Sequence, residues 1–258
     1  MSDPILEIAA NSVASALAAE AGGAARVELC AALEVGGLTP SHATIALAME
    51  RLRIPVHVLI RPRAGDFVFD DLECDVMRRD IEECKRLGCA GVVIGALDAD
   101  GNVDAPRCRT LMDAAHGLSV TFHRAFDFAR DPFVALDAII ELGCGHLLTS
   151  GQADDALAGA PLIRALVERA QGRITIMPGG GIDARNIATI ARATGAREFH
   201  ASAKVRVAGR MHGVTSRLGD MQEGDWQTDA SGVHARVTAL RAMVAPSQDP
   251  TIAEPARS

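Results

Sequence analysis

Short apolar runs rich in β-branched residues alternate along the chain with longer stretches of helical periodicity. Residues 5–9, 26–30, 56–61, 91–95, 119–123, 146–150, 174–178 and 198–202 read as eight strands. Helical patterns cover 13–21, 42–51, 72–87, 106–115, 132–142, 156–170, 184–193 and 233–244. The punctuation agrees with this alternation. Ala21-Gly22-Gly23, Leu87-Gly88-Cys89, Leu142-Gly143-Cys144 and Thr194-Gly195-Ala196 each place glycine where a helix must close. Asp104 and Asp131 stand just before a proline, as helix caps do. Eight strand–helix units predict an α/β protein, a single (β/α)8 TIM barrel rather than an open doubly wound sheet. The first turn, Ala9-Ala10-Asn11-Ser12, lacks the glycines that an open nucleotide-binding sheet needs. The barrel domain is expected over residues 1–245, with 203–231 forming a long lid or binding loop after the eighth strand. Residues 246–258, rich in Pro, Ser, Asp and Glu, are expected to be disordered.

Composition narrows the function. At 258 residues and 48% hydrophobic, the chain can bury a full core. It has no run of 18 apolar residues for a membrane span, and no basic stretch precedes its first apolar residues. A cytoplasmic protein is expected. A net charge of −7, with seven Phe, one Trp and no Tyr, argues against a nucleic-acid partner. The six cysteines form no CxxC pair, so reduced thiols are expected rather than a disulfide framework.

Side chains alternate along a strand, so polar residues two apart share a face. Arg26, Glu28 and Cys30 share one; His57 and Arg61 share another; Glu198, His200 and Ser202 a third. Glu7 sits between Leu6 and Ile8, and His123 lies two beyond Thr121. If the apolar faces meet the helices, these groups converge in the lumen. Two readings follow: an ion-pair network of Arg26 and Arg61 with Glu7, Glu28 and Glu198, or a polar site at the C-terminal mouth. Arg26 near Cys30 would depress the thiol pKa and favour metal binding or nucleophilic attack.

The loops suggest anion binding. Met177-Pro178-Gly179-Gly180-Gly181 follows strand seven and Ser202 ends strand eight, the two places where barrels hold phosphate on backbone N–H groups. Ser150 adds a hydroxyl after strand six. Arg61 and Arg63 flank Pro62, and Arg124 follows His123; guanidinium groups fork onto carboxylate or phosphate. Lysine is nearly absent: Lys85 lies mid-helix and Lys204 lies past strand eight, so Schiff-base chemistry is not expected, with Lys204 its only candidate.

The chain resembles the CutC family over about residues 4–245. The matching motifs are Arg26-Val27-Glu28-Leu29-Cys30, Gly36-Gly37-Leu38-Thr39-Pro40-Ser41, Ile60-Arg61-Pro62-Arg63-Ala64-Gly65-Asp66-Phe67 and Thr121-Phe122-His123-Arg124-Ala125-Phe126-Asp127, followed by Met177-Pro178-Gly179-Gly180-Gly181 and Glu198-Phe199-His200-Ala201-Ser202. The resemblance implies a TIM barrel, a cytoplasmic homo-oligomer (dimer or tetramer), and copper homeostasis through Cu(I) held by two cysteines. Cys30 matches one of them. Ala9 stands where the family has the other, which leaves Cys30 and His200 as the metal-ligand candidates and a poorer Cu(I) site. The alternative is an enzyme or binder for a small anionic, phosphorylated metabolite. There His123 would be general acid/base with Glu28 or Glu198 as its carboxylate partner, and Arg61, Arg63, Arg124, Ser150, Gly179, Gly180, Gly181 and Ser202 would bind the anion.

Overall fold

The computed structural model describes residues 3–210 and 224–243. Eight parallel strands run in chain order around a ring: β1 Ile5–Ala10, β2 Arg26–Leu29, β3 Val56–Leu59, β4 Gly91–Ile94, β5 Ser119–Phe122, β6 His146–Thr149, β7 Thr175–Pro178 and β8 Glu198–Ala201. β8 pairs with β1, and a parallel bridge from Gly179 to His200 joins the β7 and β8 ends. The ring is the expected (β/α)8 barrel. Around it lie α1 Val13–Ala21, α2 His42–Arg51, α3 Asp71–Arg86, α4 Ala105–Ala114, α5 Pro132–Glu141, α6 Ala160–Ala170, α7 Ile187–Thr194 and α8 Ala230–Ala242. Among the described residues no helix is long and apolar enough to cross a membrane.

Alternation along the strands builds two separate interiors. Leu6, Ile8, Val27, Leu29, Val56, Val58, Phe122 and Phe199 point outward into one apolar layer shared with Ile45, Ile81, Leu111, Leu136, Ile163 and Ile190 of the helices. Each such side chain contributes about 1.5–3 kcal/mol when fully buried. The lumen holds a small apolar cluster of Cys30, Leu59 and Val93, capped by Leu33, above a layer of charged groups.

Asp104 and Asp131 cap α4 and α5, accepting from Arg107 N–H, and from Phe133 and Val134 N–H. Gly143 (φ 86°) and Gly195 (φ 73°) make the left-handed turns that end α5 and α7. Two helices start later than their periodicity suggests. The Asp155 carboxylate takes the N–H groups of Leu157 and Ala158, and Ala156 N–H donates to Gly180 O. That ties 153–159 to the glycine loop and delays α6. Asp183 and Asn186 cap one another in a tight turn before α7.

Two short strands stand at the described ends of the 203–231 connection. β9 Lys204–Val207 pairs antiparallel with β10 Asp225–Thr228, and Asp229 caps α8. Lys204-Val205-Arg206-Val207 does alternate with period two, but the run is short. Residues 211–223 and the proposed tail 246–258 lie outside the described residues.

Closure of the ring brings α1 against α8 at Gly22, where a Cβ would sit 2.5 Å from Val233 Cβ and 2.6 Å from the Ala230 carbonyl oxygen. The Gly22 backbone is right-handed (φ −76°), so alanine fits locally and gains about 0.5–1 kcal/mol of propensity. Overpacking costs about 1–3 kcal/mol or more and wins. Gly22→Ala is expected to lower the urea midpoint at constant m-value; a midpoint at or above wild type would refute this packing.

Candidate functional site at the barrel mouth

Parallel register sets the lower layer. Glu7 lies opposite Arg26 on one side and His200 on the other, and Glu198 pairs with Ile5. Arg26 Nε donates to Glu7 Oε2 at 2.5 Å and Nη2 to Glu198 Oε2 at 3.1 Å. His146 Nε2 lies 3.4 Å from Glu198, and His200 Nδ1 lies 2.8 Å from Glu7 Oε1. Burial works against the Glu7 anion, but His200 and Arg26 outweigh it and hold that carboxyl well below its ordinary range. Glu198 is likewise lowered by His146 and Arg26, against its burial. His57, 3.9 Å from Glu7, is driven down to about 4, chiefly by burial. The expected ion-pair network therefore exists for Arg26, but Arg61 takes no part in it.

Above this layer Glu28 reaches the lumen with Oε2 buried and without a hydrogen-bond partner. Burial, reinforced by Glu7, raises its pKa to about 7 against the opposing charges of His200 and Arg26. His200 is raised instead: burial lowers it, but Glu28 and Glu7 prevail. A carboxyl at the edge of ionisation thus lies near a His200 ring whose Nδ1 is anchored by a second carboxylate, Glu7.

The folded Glu28 pKa lies above the unfolded value of 4.5. Between the two the native state binds more protons, so this group's contribution falls as pH rises through that window. The full difference is on the order of 3–4 kcal/mol. Glu28→Gln is expected to gain stability over wild type near pH 8 and to lose that advantage near pH 5, as read by urea unfolding at both values. Equal differences at the two pH values would contradict an ionising Glu28.

The third group is Arg61, 6% exposed. Its Nη1 donates to the carbonyls of Val35 and Gly37, and Nη2 donates to that of Gly65. No carboxylate pairs with it among the described residues, and its Nε–H is unpartnered. Three of five N–H groups are used, leaving one on Nε and one on Nη2. The guanidinium stacks on Phe67, 5.0 Å from the ring centroid. Phe67 also packs on His123, at 5.1 Å between centroids.

His123 Nδ1 accepts from Ala125 N–H at 3.1 Å, which assigns the ring proton to Nε2. That nitrogen is buried and unpartnered. Burial first, then Arg61, lowers the pKa to about 3, so the imidazole is neutral near pH 7. No hydrogen bond joins His123 to Glu28 or Glu198, contrary to the expected pairing. The shortest imidazole–carboxylate contact among the described residues is His200–Glu7 instead.

Glu28, Arg61, His123, His200, Gly180 and Arg236 are among the residues lining one cavity of about 680 Å³ at the mouth. Gly180 (φ 99°) and Gly181 (φ 68°) place their N–H groups in the loop after β7, and neither donates to a described residue. A Cβ on Gly181 would lie 2.8 Å from Asp155 Cβ, so the loop requires glycine there. Ser202 and Lys204 complete this side, with Lys204 Nζ 4.9 Å from the Trp226 ring centroid. Arg236 donates to the Ile182 and Gly232 carbonyls, with no carboxylate partner among the described residues.

Other expected site residues fall elsewhere or are already engaged. Glu198 belongs to the lower layer. Arg63 points away from the cavity, paired with Glu73 at 2.5 Å and Asp66 at 3.0 Å. Gly179 shapes the turn, donating to Thr149 O. Ser150 Oγ accepts from Arg124 and contacts Asp127 and Ala153 O, so its hydroxyl is committed to the loop. Arg124 lines the cavity but is neutralised by Asp127 at 2.7 Å. Asp127 was not singled out; it also takes Thr149 Oγ1 and the N–H groups of Ser150 and Gln152, locking the β6 loop. Arg236 was likewise missed as a contributor to the site, while Glu7 was expected in the lumen only as a carboxylate of the ion-pair network.

Cys30 differs from expectation too. Burial, then Glu28 and Glu34, raises its thiol pKa well above the ordinary range, and Sγ donates to Ala10 O at 3.6 Å. Arg26 does not activate it. Ligand atoms of Glu7, Glu28 and His200 gather within 4.8 Å, yet both Glu7 oxygens and His200 Nδ1 are already bonded. Oxygen and imidazole donors are a poor match for Cu(I), and the one nearby thiol is protonated among apolar neighbours. The residues present do not fit a Cu(I) centre.

The CutC family model matches residues 4–205. A CutC family protein of Xanthomonas axonopodis pv. citri is 56% identical over 237 residues, 92% of this chain and 98% of its own length. One from Chromobacterium violaceum is 50% identical over 243 residues, again 92% and 98%. Among solved structures, the CutC protein of Streptococcus agalactiae, whose name assigns it to copper homeostasis, is 35% identical with a TM-score of 0.74, covering 77% of this chain and 98% of that one.

Proposed function

The chain belongs to the CutC family, and on that premise we propose that its barrel mouth binds a small anionic, phosphorylated metabolite and performs acid–base chemistry on it. The observation that carries this reading is Arg61, a buried guanidinium with no carboxylate partner among the described residues and two N–H groups unused beside a 680 Å³ cavity. A buried cation left unpaired is costly unless a ligand supplies its counter-charge. The amides of Gly180 and Gly181, which donate to no described residue, suit a phosphate together with Arg236 of the same cavity. Glu28, titrating near neutrality, and the His200–Glu7 pair supply proton transfer. All six cysteines are free, which suits a reducing cytoplasm.

In this reading the family's copper association does not run through direct Cu(I) ligation in this chain. Phosphate esters such as ribose 5-phosphate are expected to raise the melting temperature in a saturable way, while Cu(I) competition against a chromogenic chelator finds no stoichiometric site. A flat thermal response across a panel of phosphate esters would remove the proposal. Tight Cu(I) capture abolished by Cys30→Ala would restore the metal reading.

A further inference from the structure

Three residues that line the cavity each carry a buried polar atom with no partner among the described residues: Glu28 Oε2, His123 Nε2 and Arg61 Nε. Their chemistry is complementary. One is a carboxylate oxygen that can take a proton. The second is the N–H of a neutral imidazole, its tautomer assigned by Ala125. The third is a cationic N–H held in place by three carbonyls. Arg61 and His123 both pack against the Phe67 ring, at 5.0 and 5.1 Å from its centroid, and so are held close together beside the cavity. Two donors and one acceptor, all buried and unsatisfied, are what a carbonyl substrate losing an adjacent proton requires.

Resting on the anion-binding reading above, we propose that the site enolises an α-hydroxycarbonyl phosphate. The Glu28 carboxylate removes the proton from the carbon next to the carbonyl. The C–H electron pair becomes the C=C bond, and the carbonyl π pair moves onto oxygen. His123 Nε2–H and Arg61 Nε–H hold the resulting enediolate oxygen. Return of the proton, or of a deuteron that has replaced it on Glu28 from solvent, to the same carbon re-forms the carbonyl compound, so no oxidant, reductant or metal is needed. A neutral imidazole suits this task, because its N–H stabilises a developing oxyanion without transferring its proton outright. The Gly180 and Gly181 amides hold the phosphate away from the reacting carbons.

The test follows dihydroxyacetone phosphate and xylulose 5-phosphate by proton NMR in D2O, with binding measured separately by calorimetry. The wild-type protein is expected to exchange the α-hydrogen of at least one ketose phosphate on the order of 100-fold faster than buffer. Glu28→Gln should lose that exchange while its affinity stays within about threefold, and His123→Gln should slow exchange about tenfold or more. Glu28→Asp, which keeps the carboxylate but shortens its reach, provides a second variant if Glu28→Gln does not fold; it should retain a measurable fraction of exchange. Binding of both ketose phosphates without exchange overturns the enolisation and leaves the anion site standing. Exchange unchanged in Glu28→Gln also overturns it. Absence of binding removes both the enolisation and the reading beneath it.

Discussion

Arg26→Met is expected to cost about 3–5 kcal/mol at pH 7, the usual penalty for leaving a buried charge without its partner. Two carboxylates lose their shared counter-ion at once: Glu7, fully buried, and Glu198. The pH dependence identifies the cause. With Arg26 gone, Glu7 no longer has the charge that helped depress its pKa, so it takes up a proton more readily, and the penalty shrinks as pH falls. Urea unfolding at pH 7 and near pH 4 should find the loss clearly smaller at the lower value. Adding Glu7→Gln to Arg26→Met should recover part of the stability at pH 7. A loss that is the same at both pH values, with no recovery in the double variant, would mean that Arg26 serves packing rather than charge.

Arg61→Met is expected to weaken phosphate-ester binding about 10- to 100-fold, the scale of one charge-assisted contact in a desolvated pocket. Arg63→Met should change it less than about twofold, because an exposed, already paired guanidinium adds little. The two residues are separated only by Pro62, yet one is enclosed by the carbonyls of three loop residues and the other turns out toward Glu73. Arg61→Met also orphans those carbonyls and should lower stability, so binding is read by calorimetry on folded protein. Equal effects of the two substitutions on affinity would contradict the assignment.

That contrast marks the limit of what was legible in the sequence. Short apolar, β-branched runs identified all eight strands, and period-two alternation then gave the inward faces of those that carry charged residues. The Glu7–Arg26–Glu198 contacts come from that alternation. Loop direction does not. Nothing local to Arg61-Pro62-Arg63 says which guanidinium turns inward. The His123 tautomer depends on an amide two residues on in a 3-10 turn, and Asp127 acquires its role only when the β5 and β6 ends meet. Cys30 reads as reactive beside Arg26 and Glu28, but Leu59 and Val93 from neighbouring strands surround it and keep it protonated. His200 was expected to bind metal; its bond to Glu7 crosses the closing β8–β1 seam, a contact that exists only once the ring closes.

The most direct test of the anion site is a crystal structure of the protein soaked with 2-phosphoglycolate, an analogue of the enediolate. The phosphate should lie on the amides of Gly180 and Gly181 near Arg236, with the carboxylate against Arg61 and His123. Density for the compound outside the barrel mouth, or an empty mouth at saturating concentration, would contradict the account.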